Sequence, residues 1–442
     1  MKTMKKQMRA GLIFVILAGV FFACGNKQPT SDTRTGKGIT IRVLTRMSGE
    51  DSGTPILEDV IRIFKQKYPD ITIQNASVND SNAFTQQFMT DNASGNTADI
   101  IQWAGVSILK EYAETGTFLD LTDLINSSPD IKNNVDPSIL NLANLEGIGV
   151  KGIYALPIGM PMEVFYYNKD LFAKAGIDAP PKTWDEFYAA CDKLLAVDVI
   201  PWSLGLANKW RAIHLNNVLM MRMVGTQKAK DLGARKAKWT DSDVVAVFDK
   251  IKEMAGRGYF GRDYAGIDYD TEKARFIRGE TAMSFDGAWR IATLDQATVA
   301  RTGTFRMPYF ADKPDFYKED VFYPTQIEIG GQLKNNPDKL QYVWEFLSMF
   351  LDKAHQEMYL YEVSNVPLRT DLAVDESRLN PLLAELLRYK KDVTVWGTDA
   401  WAYDTLPIME DAVGDALVGA LTNLTAQQAA QQIQLAIEEA ER

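Results

Sequence analysis

The stretch ITIRVLTRMSGEDSGTPILEDVIRIFKQKYPDITI, residues 39–73, decides the fold class. Residues 39–45 alternate apolar and polar positions, the period of a strand. Pro55 can open a helix, because the first turn has no use for its missing amide. Ile56, Val60, Ile63, Phe64 and Lys67 then recur at helical spacing. The helix must end before Pro69, whose ring pushes Tyr68 out of the helical region. Ile71-Thr72-Ile73 resumes a strand. The same alternation continues outward. A helix-like segment around Phe84 to Met89 precedes the short apolar strand 99–102, and residues 153–157 and 164–168 read as extended pieces. Alternating strands and helices predict an α/β fold of mostly parallel sheets flanked by helices on both faces.

Further along, Pro180-Pro181 is a rigid connector. TWDE at 183–186 is a capping box, in which the Thr hydroxyl and the Glu carboxylate serve free amides at a helix start. The helix that follows should bury Phe187, Cys191, Leu194 and Leu195. A second, from about Ser242, should turn Val244, Val247, Phe248, Ile251 and Met254 inward. Gly279 stops a short helix before a strand at 282–285. Asn336-Pro337 opens a helix carrying Leu340, Trp344, Leu347 and Leu351 on one face, and a terminal helix follows Thr425. Trp184 and Trp344 read as packing residues on helix faces.

The first residues carry a different message. Lys2, Lys5, Lys6 and Arg9 precede an apolar run from Ala10 to Ala23, too short to span a bilayer comfortably, and Cys24 follows it. The sequence FFACG at 21–25 resembles a bacterial lipobox, although Phe21 and Phe22 stand where Leu and a small residue are usual. Residues 1–23 are expected to be a lipoprotein signal peptide and Cys24 the lipidated N-terminus. Residues 24–38, polar and rich in Gly, Ser and Thr, read as a flexible tether. The protein is then extracytoplasmic and held to the cell membrane by its N-terminal lipid.

The chain has 442 residues, and about 420 after such processing, too many for one core, so two lobes are expected. Its 48 basic residues against 58 acidic ones become 44 against 58 without the signal, a net charge of −14. An acidic surface disfavours nucleic acid and a polybasic membrane patch. Beyond Cys24 the sole cysteine is Cys191, which sits on an apolar helix face and reads as core. The two histidines, His214 and His355, lie far apart in sequence, and no zinc, nucleophile-elbow or phosphate-loop motif occurs. No cofactor is implied. Asp263, Asp268, Asp270 and Glu272 lack calcium-loop spacing, so no metal is expected there.

Four stretches together resemble the extracellular solute-binding proteins of sugar ABC transporters, the maltose-binding-protein-like group. They are FKQKYPDITI at 64–73, ADIIQWA at 98–104, the series LPIG (156–159), FYYNKDLF (165–172), AGI (175–177) and PKTWDEF (181–187), and GETAMSFDGAW at 279–289. Gly330-Gly331 and Pro367-Leu368-Arg369 are weaker echoes. The resemblance runs from about 39 to 370. It implies a two-lobed periplasmic-binding-protein fold with the ligand between the lobes, one lobe formed by 39–159 plus 281–307 and the other by 164–280 plus 308–442. The hinges would lie near Met160–Glu163 and Met307–Pro308. It further implies a monomer that captures a sugar or oligosaccharide, passes it to membrane permease subunits and does no chemistry.

Candidate ligand-binding residues follow from sugar chemistry and the resemblance together. Sugar rings have apolar C–H faces that suit an indole. Trp103 follows a buried strand, Trp289 ends the fourth stretch, Trp210 faces the cleft from the other lobe in relatives, and Trp396 matches an aromatic near the end of some of them. Sugar hydroxyls need fixed donors and acceptors. Arg46 after the first strand could donate, and Asp286 and Glu163 could accept. Two alternatives remain at this stage. A surface-anchored glycoside hydrolase would need a carboxylate pair, such as Asp286 and Glu163, flanking its substrate. The same fold could also bind another small organic solute.

Overall fold

The computed structural model describes residues 38–102, 106–140, 150–160, 162–321, 323 and 325–442; Cys24, the signal run, nearly all of the tether and Trp103 lie outside them. Eleven strands occur in chain order: β1 Thr40–Leu44, β2 Thr72–Asn75, β3 Ile100–Ile101, β4 Leu156–Gly159, β5 Glu163–Asn168, β6 Ile200–Trp202, β7 Thr281–Gly287, β8 Thr302–Phe305, β9 Glu319–Val321, β10 Thr325–Ile329 and β11 Val395–Gly397. They form a five-stranded sheet of order β2-β1-β3-β10-β4, a four-stranded sheet of order β6-β7-β5-β8, and the pair β11-β9.

The opening stretch folds as its spacing predicts. The helix Thr54–Lys67 buries Ile56, Leu57, Val60 and Phe64, and β1 and β2 pair in parallel from Thr40↔Thr72. Phe64 meets Phe346 of the helix Pro337–Met349 with ring centroids 5.3 Å apart. The capping box at Thr183–Glu186 forms in both halves, and Gly279 takes φ +72° where its helix stops. Cys191 is buried. Leu195, expected inward, is 36% exposed because it sits one position round from the face that Leu194 buries. Among the described residues no helix is long and apolar enough to cross a membrane.

Two expectations need correction. Both large sheets are mixed rather than mostly parallel in their pairing. β10 runs against β3 and β4, and β5 runs against β7 and β8. Segment 281–307 also does not join the sheet of 39–159, since β7 and β8 flank β5. The reason is the apolar payload of β5. Phe165 lies opposite Phe285 on one side and Phe305 on the other, with centroids 5.1 and 5.0 Å away. Fully burying one such side chain contributes roughly 1.5–3 kcal/mol, and all three are buried in this pairing. Conversely, β10 belongs to the sheet of β1–β4 although 308–442 was expected elsewhere. The chain therefore passes from one sheet to the other between Gly159 and Glu163, and returns between β8 and β10. Each sheet has its own core, one around Phe165, Phe187 and Trp202, the other around Ile41, Val60 and Phe346.

Candidate ligand-binding site

Five rings from four separate segments meet in one place, and backbone contacts explain why. Asn208 precedes the helix Trp210–Met223, and its side-chain oxygen accepts the backbone N–H of Tyr269 at 2.8 Å. A Cβ on Gly205 would lie 2.8 Å from the Asp268 carbonyl carbon, so a glycine is what lets these two segments touch. That contact sets the Trp210 and Tyr269 rings 4.8 Å apart, edge to face. His214, one helical turn beyond Trp210, lies 4.8 Å from it. Tyr323, between β9 and β10, stacks flat on His214 at 4.0 Å and 5°. Trp289, in the turn after β7, donates its indole N–H to the Tyr269 hydroxyl at 3.0 Å and lies 6.3 Å from His214. All five rings are partly exposed. Together they make a partly exposed aromatic wall.

Behind the wall lies a buried charge network. Arg211 forks onto Glu272, Nε to Oε2 at 3.0 Å and Nη2 to Oε1 at 2.7 Å, and also donates to the Phe285 carbonyl. Asp286 accepts the Tyr269 hydroxyl at 2.9 Å and the Gly287 N–H at 3.0 Å, and Arg290 Nε lies 2.9 Å from it. Burial lowers the Arg211 pKa, but Glu272 and Asp286 outweigh it and hold the guanidinium above its ordinary value. Burial, then Asp286, push the Tyr269 phenol well above the usual range, so its hydroxyl stays protonated. Arg211 also faces the Trp210 ring at 4.7 Å and that of Tyr269 at 5.2 Å, a cation–π contact that seats both rings.

A second polar group surrounds His214. Its Nδ1 is 2.6 Å from Oε1 of Glu163, a residue 1% exposed whose other oxygen has no hydrogen-bond partner among the described residues. Asn217 donates to Asp399 at 2.5 Å. Burial raises the Asp399 pKa to about 6. Glu410 is reached by solvent but crowded by protein, and that crowding plus repulsion from Asp399 and Asp411 raises it to about 7. A carboxylate raised in the folded state binds protons the unfolded chain has already released. Stability therefore falls as pH rises from about 4 through 6 on account of Asp399, and through 7 on account of Glu410, and is level above. We expect Asp399→Asn to lose less melting temperature than the parent between pH 5 and pH 8; equal losses would show that Asp399 carries none of the slope.

The expected site residues divide as follows. Trp210, Trp289 and Glu163 come together at the wall. Arg46, at the end of β1, is exposed, with its guanidinium only 3.4 Å from the Asn79 carbonyl. Protein crowding lowers its pKa against the attraction of Asp51, Asp80 and Tyr269. Asp286 was expected to accept ligand hydroxyls. It is 0% exposed and committed to Tyr269, Arg290 and Gly287, so it holds the wall from behind. Trp396, on β11, rests against the core of the first sheet. Trp103 lies outside the described residues. Among Asp263, Asp268, Asp270 and Glu272, the first pairs with Arg275, the second caps a helix, the third pairs with Lys273 and the last holds Arg211.

Sequence reading missed Tyr269, His214, Tyr323, Asp399 and Glu410. Trp210 and His214 did carry a signal, their four-residue spacing on one helix. Tyr323 and Asp399 carried none, because only the return of the chain between the sheets brings them here.

The family model for bacterial extracellular solute-binding proteins matches residues 49–357. The multiple sugar-binding protein of Streptococcus mutans is 23% identical over 316 residues, 69% of this chain and 70% of its own length. An uncharacterised ABC transporter extracellular-binding protein of Pyrococcus horikoshii is 24% identical over 291 residues, 64% of this chain and 66% of its own. Among solved structures, a chitin oligosaccharide binding protein superposes with a TM-score of 0.82 at 24% identity, covering 92% of this chain and 99% of that one. At that identity the superposition shows the fold alone.

Proposed function

The chain belongs to the bacterial extracellular solute-binding proteins, a family of binding proteins and not of enzymes, and on that premise we propose that it is the carbohydrate receptor of an ABC-type importer. The observation that carries this reading is the partly exposed wall of Trp210, Tyr269 and Trp289, seated on a buried charge network with His214 beside it. Flat apolar rings take the C–H faces of a sugar, and the polar rim takes its hydroxyls. The relatives named above for sugar binding and for ABC transport support the same reading. The lobes would be the bodies built on the two large sheets. They would close about the passage at 160–163 and about the return after Met307–Pro308. The receptor would act as a monomer, present its sugar to membrane permease subunits, and be held outside the cell membrane by lipid on Cys24.

The hydrolase alternative needs two carboxylates within reach of a sugar. Asp286, buried beneath Arg290 and Tyr269, is in no position to be one of them. Another small organic solute is the remaining alternative, and a screen separates the two. Maltotriose, xylotriose, chitotriose and raffinose are each added to the mature protein during a thermal melt. A sugar at about 100 times its dissociation constant should stabilise the fold by about 2.7 kcal/mol. A flat response to every sugar, with a shift from a non-sugar solute, would move the assignment to that solute. Anchoring is tested separately: Cys24→Ser should leave the detergent phase for the soluble fraction or stay unprocessed, and membrane association equal to the parent's would remove the lipid from the account.

A further inference from the structure

We propose that Tyr269 is a positioning residue that fixes the indole of Trp289 in the plane that receives the ligand. The indole is held at two points. Its ring lies on the backbone of Gly287, so closely that a Cβ there would come within 2.2 Å of the ring carbons. Its N–H ends on the Tyr269 hydroxyl at 3.0 Å, and that hydroxyl donates onward to Asp286 at 2.9 Å. A phenol hydroxyl has one proton to give, and Asp286 takes it, so the lone pair left over points to the indole. Asp286 is fixed in turn by Arg290 and by the Gly287 N–H. Tyr269 itself is seated by Asn208 through its backbone N–H and by Arg211 across its face. The orientation of an exposed ring is thus referred back to fully buried charges.

One consequence concerns recognition, and it rests on the reading of Trp289 as a sugar platform. With its N–H already engaged, the indole has no donor to offer a ligand. It contributes an apolar face, and recognition of hydroxyl patterns falls to the polar groups beside it, such as His214.

Tyr269→Phe removes the hydroxyl and keeps the ring, leaving Asp286 beside Arg290, Arg211 and the Gly287 N–H. In the full mature chain labelled with 15N, the indole N–H peaks of the nine tryptophans are recorded, and Trp289→Phe identifies the Trp289 peak. Tyr269→Phe should shift that peak more than any other; an unmoved peak overturns the proposal without any ligand. The second arm titrates maltotriose, xylotriose, chitotriose and raffinose. Tyr269→Phe should weaken binding of the sugar that binds by about five- to tenfold, the worth of one hydrogen bond. In a Trp289→Phe background the same change should cost less than about twofold, because the coupled partner is gone. Equal losses in both backgrounds would mean that Tyr269 touches the sugar itself, contrary to the proposal. If none of the four sugars binds the parent, the indole peak alone decides the role of Tyr269.

Discussion

Trp289→Ala is expected to weaken sugar binding about thirtyfold or more while leaving the fold nearly as stable as before. The indole is half exposed, lies against Gly287 on one side and is tied by one hydrogen bond. Its loss from a binding hot spot typically costs about 2 kcal/mol or more of affinity. A core tryptophan behaves otherwise, since its truncation removes roughly 3–5 kcal/mol of stability whether or not ligand is present. Trp202, at 0% exposure in the second sheet's core, is the natural comparison. Calorimetric titration and a melt without sugar, run on Trp289→Ala and Trp202→Ala, separate the cases. Unchanged affinity with a collapsed melting temperature in Trp289→Ala would assign that residue to the core.

The second large effect concerns the network behind the wall. Arg211 and Glu272 are each 1% exposed and joined by two hydrogen bonds. Removing one member of a buried pair leaves the other without its counter-charge, here Glu272 with only the Gly205 N–H at 2.7 Å among the described residues, which typically costs about 3–5 kcal/mol. Arg211→Ala should therefore unfold at much lower urea concentration than the parent. It also removes the cation under Trp210 and Tyr269, so binding should weaken in whatever fraction stays folded. The exposed Arg62–Asp59 pair is the control, because surface pairs are worth about 0–1 kcal/mol. If Arg211→Ala costs no more than Arg62→Ala, the network does not hold the wall.

Much of the fold was legible because it is local. The period of residues 39–73, the proline at 55, the capping box at 183–186 and the glycine at 279 act within a few residues of themselves. Strand partners are not local. β10 was not read as a strand at all, and the strand read at 282–285 carries nothing that says which sheet it joins. Only the meeting of Phe165, Phe285 and Phe305 decides that. The site divides in the same way. Trp210 and Trp289 were named from the resemblance together with the chemistry of an indole, and their rings do gather with Tyr269 and His214. An aspartate does not announce whether it faces solvent or an arginine. Asp286 was read as a ligand acceptor, and it is a buried support for Tyr269. His214 was read only as one of two histidines far apart in sequence, and nothing local reveals Glu163, 51 residues away in the chain though 2.6 Å away in space.

The central claim is that two lobes close on a sugar held at this wall. Small-angle scattering of the mature protein, with and without a saturating amount of a sugar that raises its melting temperature, tests this most directly. The account predicts a smaller radius of gyration in the presence of that sugar. An unchanged radius at saturation would contradict closure about the passages after Gly159 and after Met307.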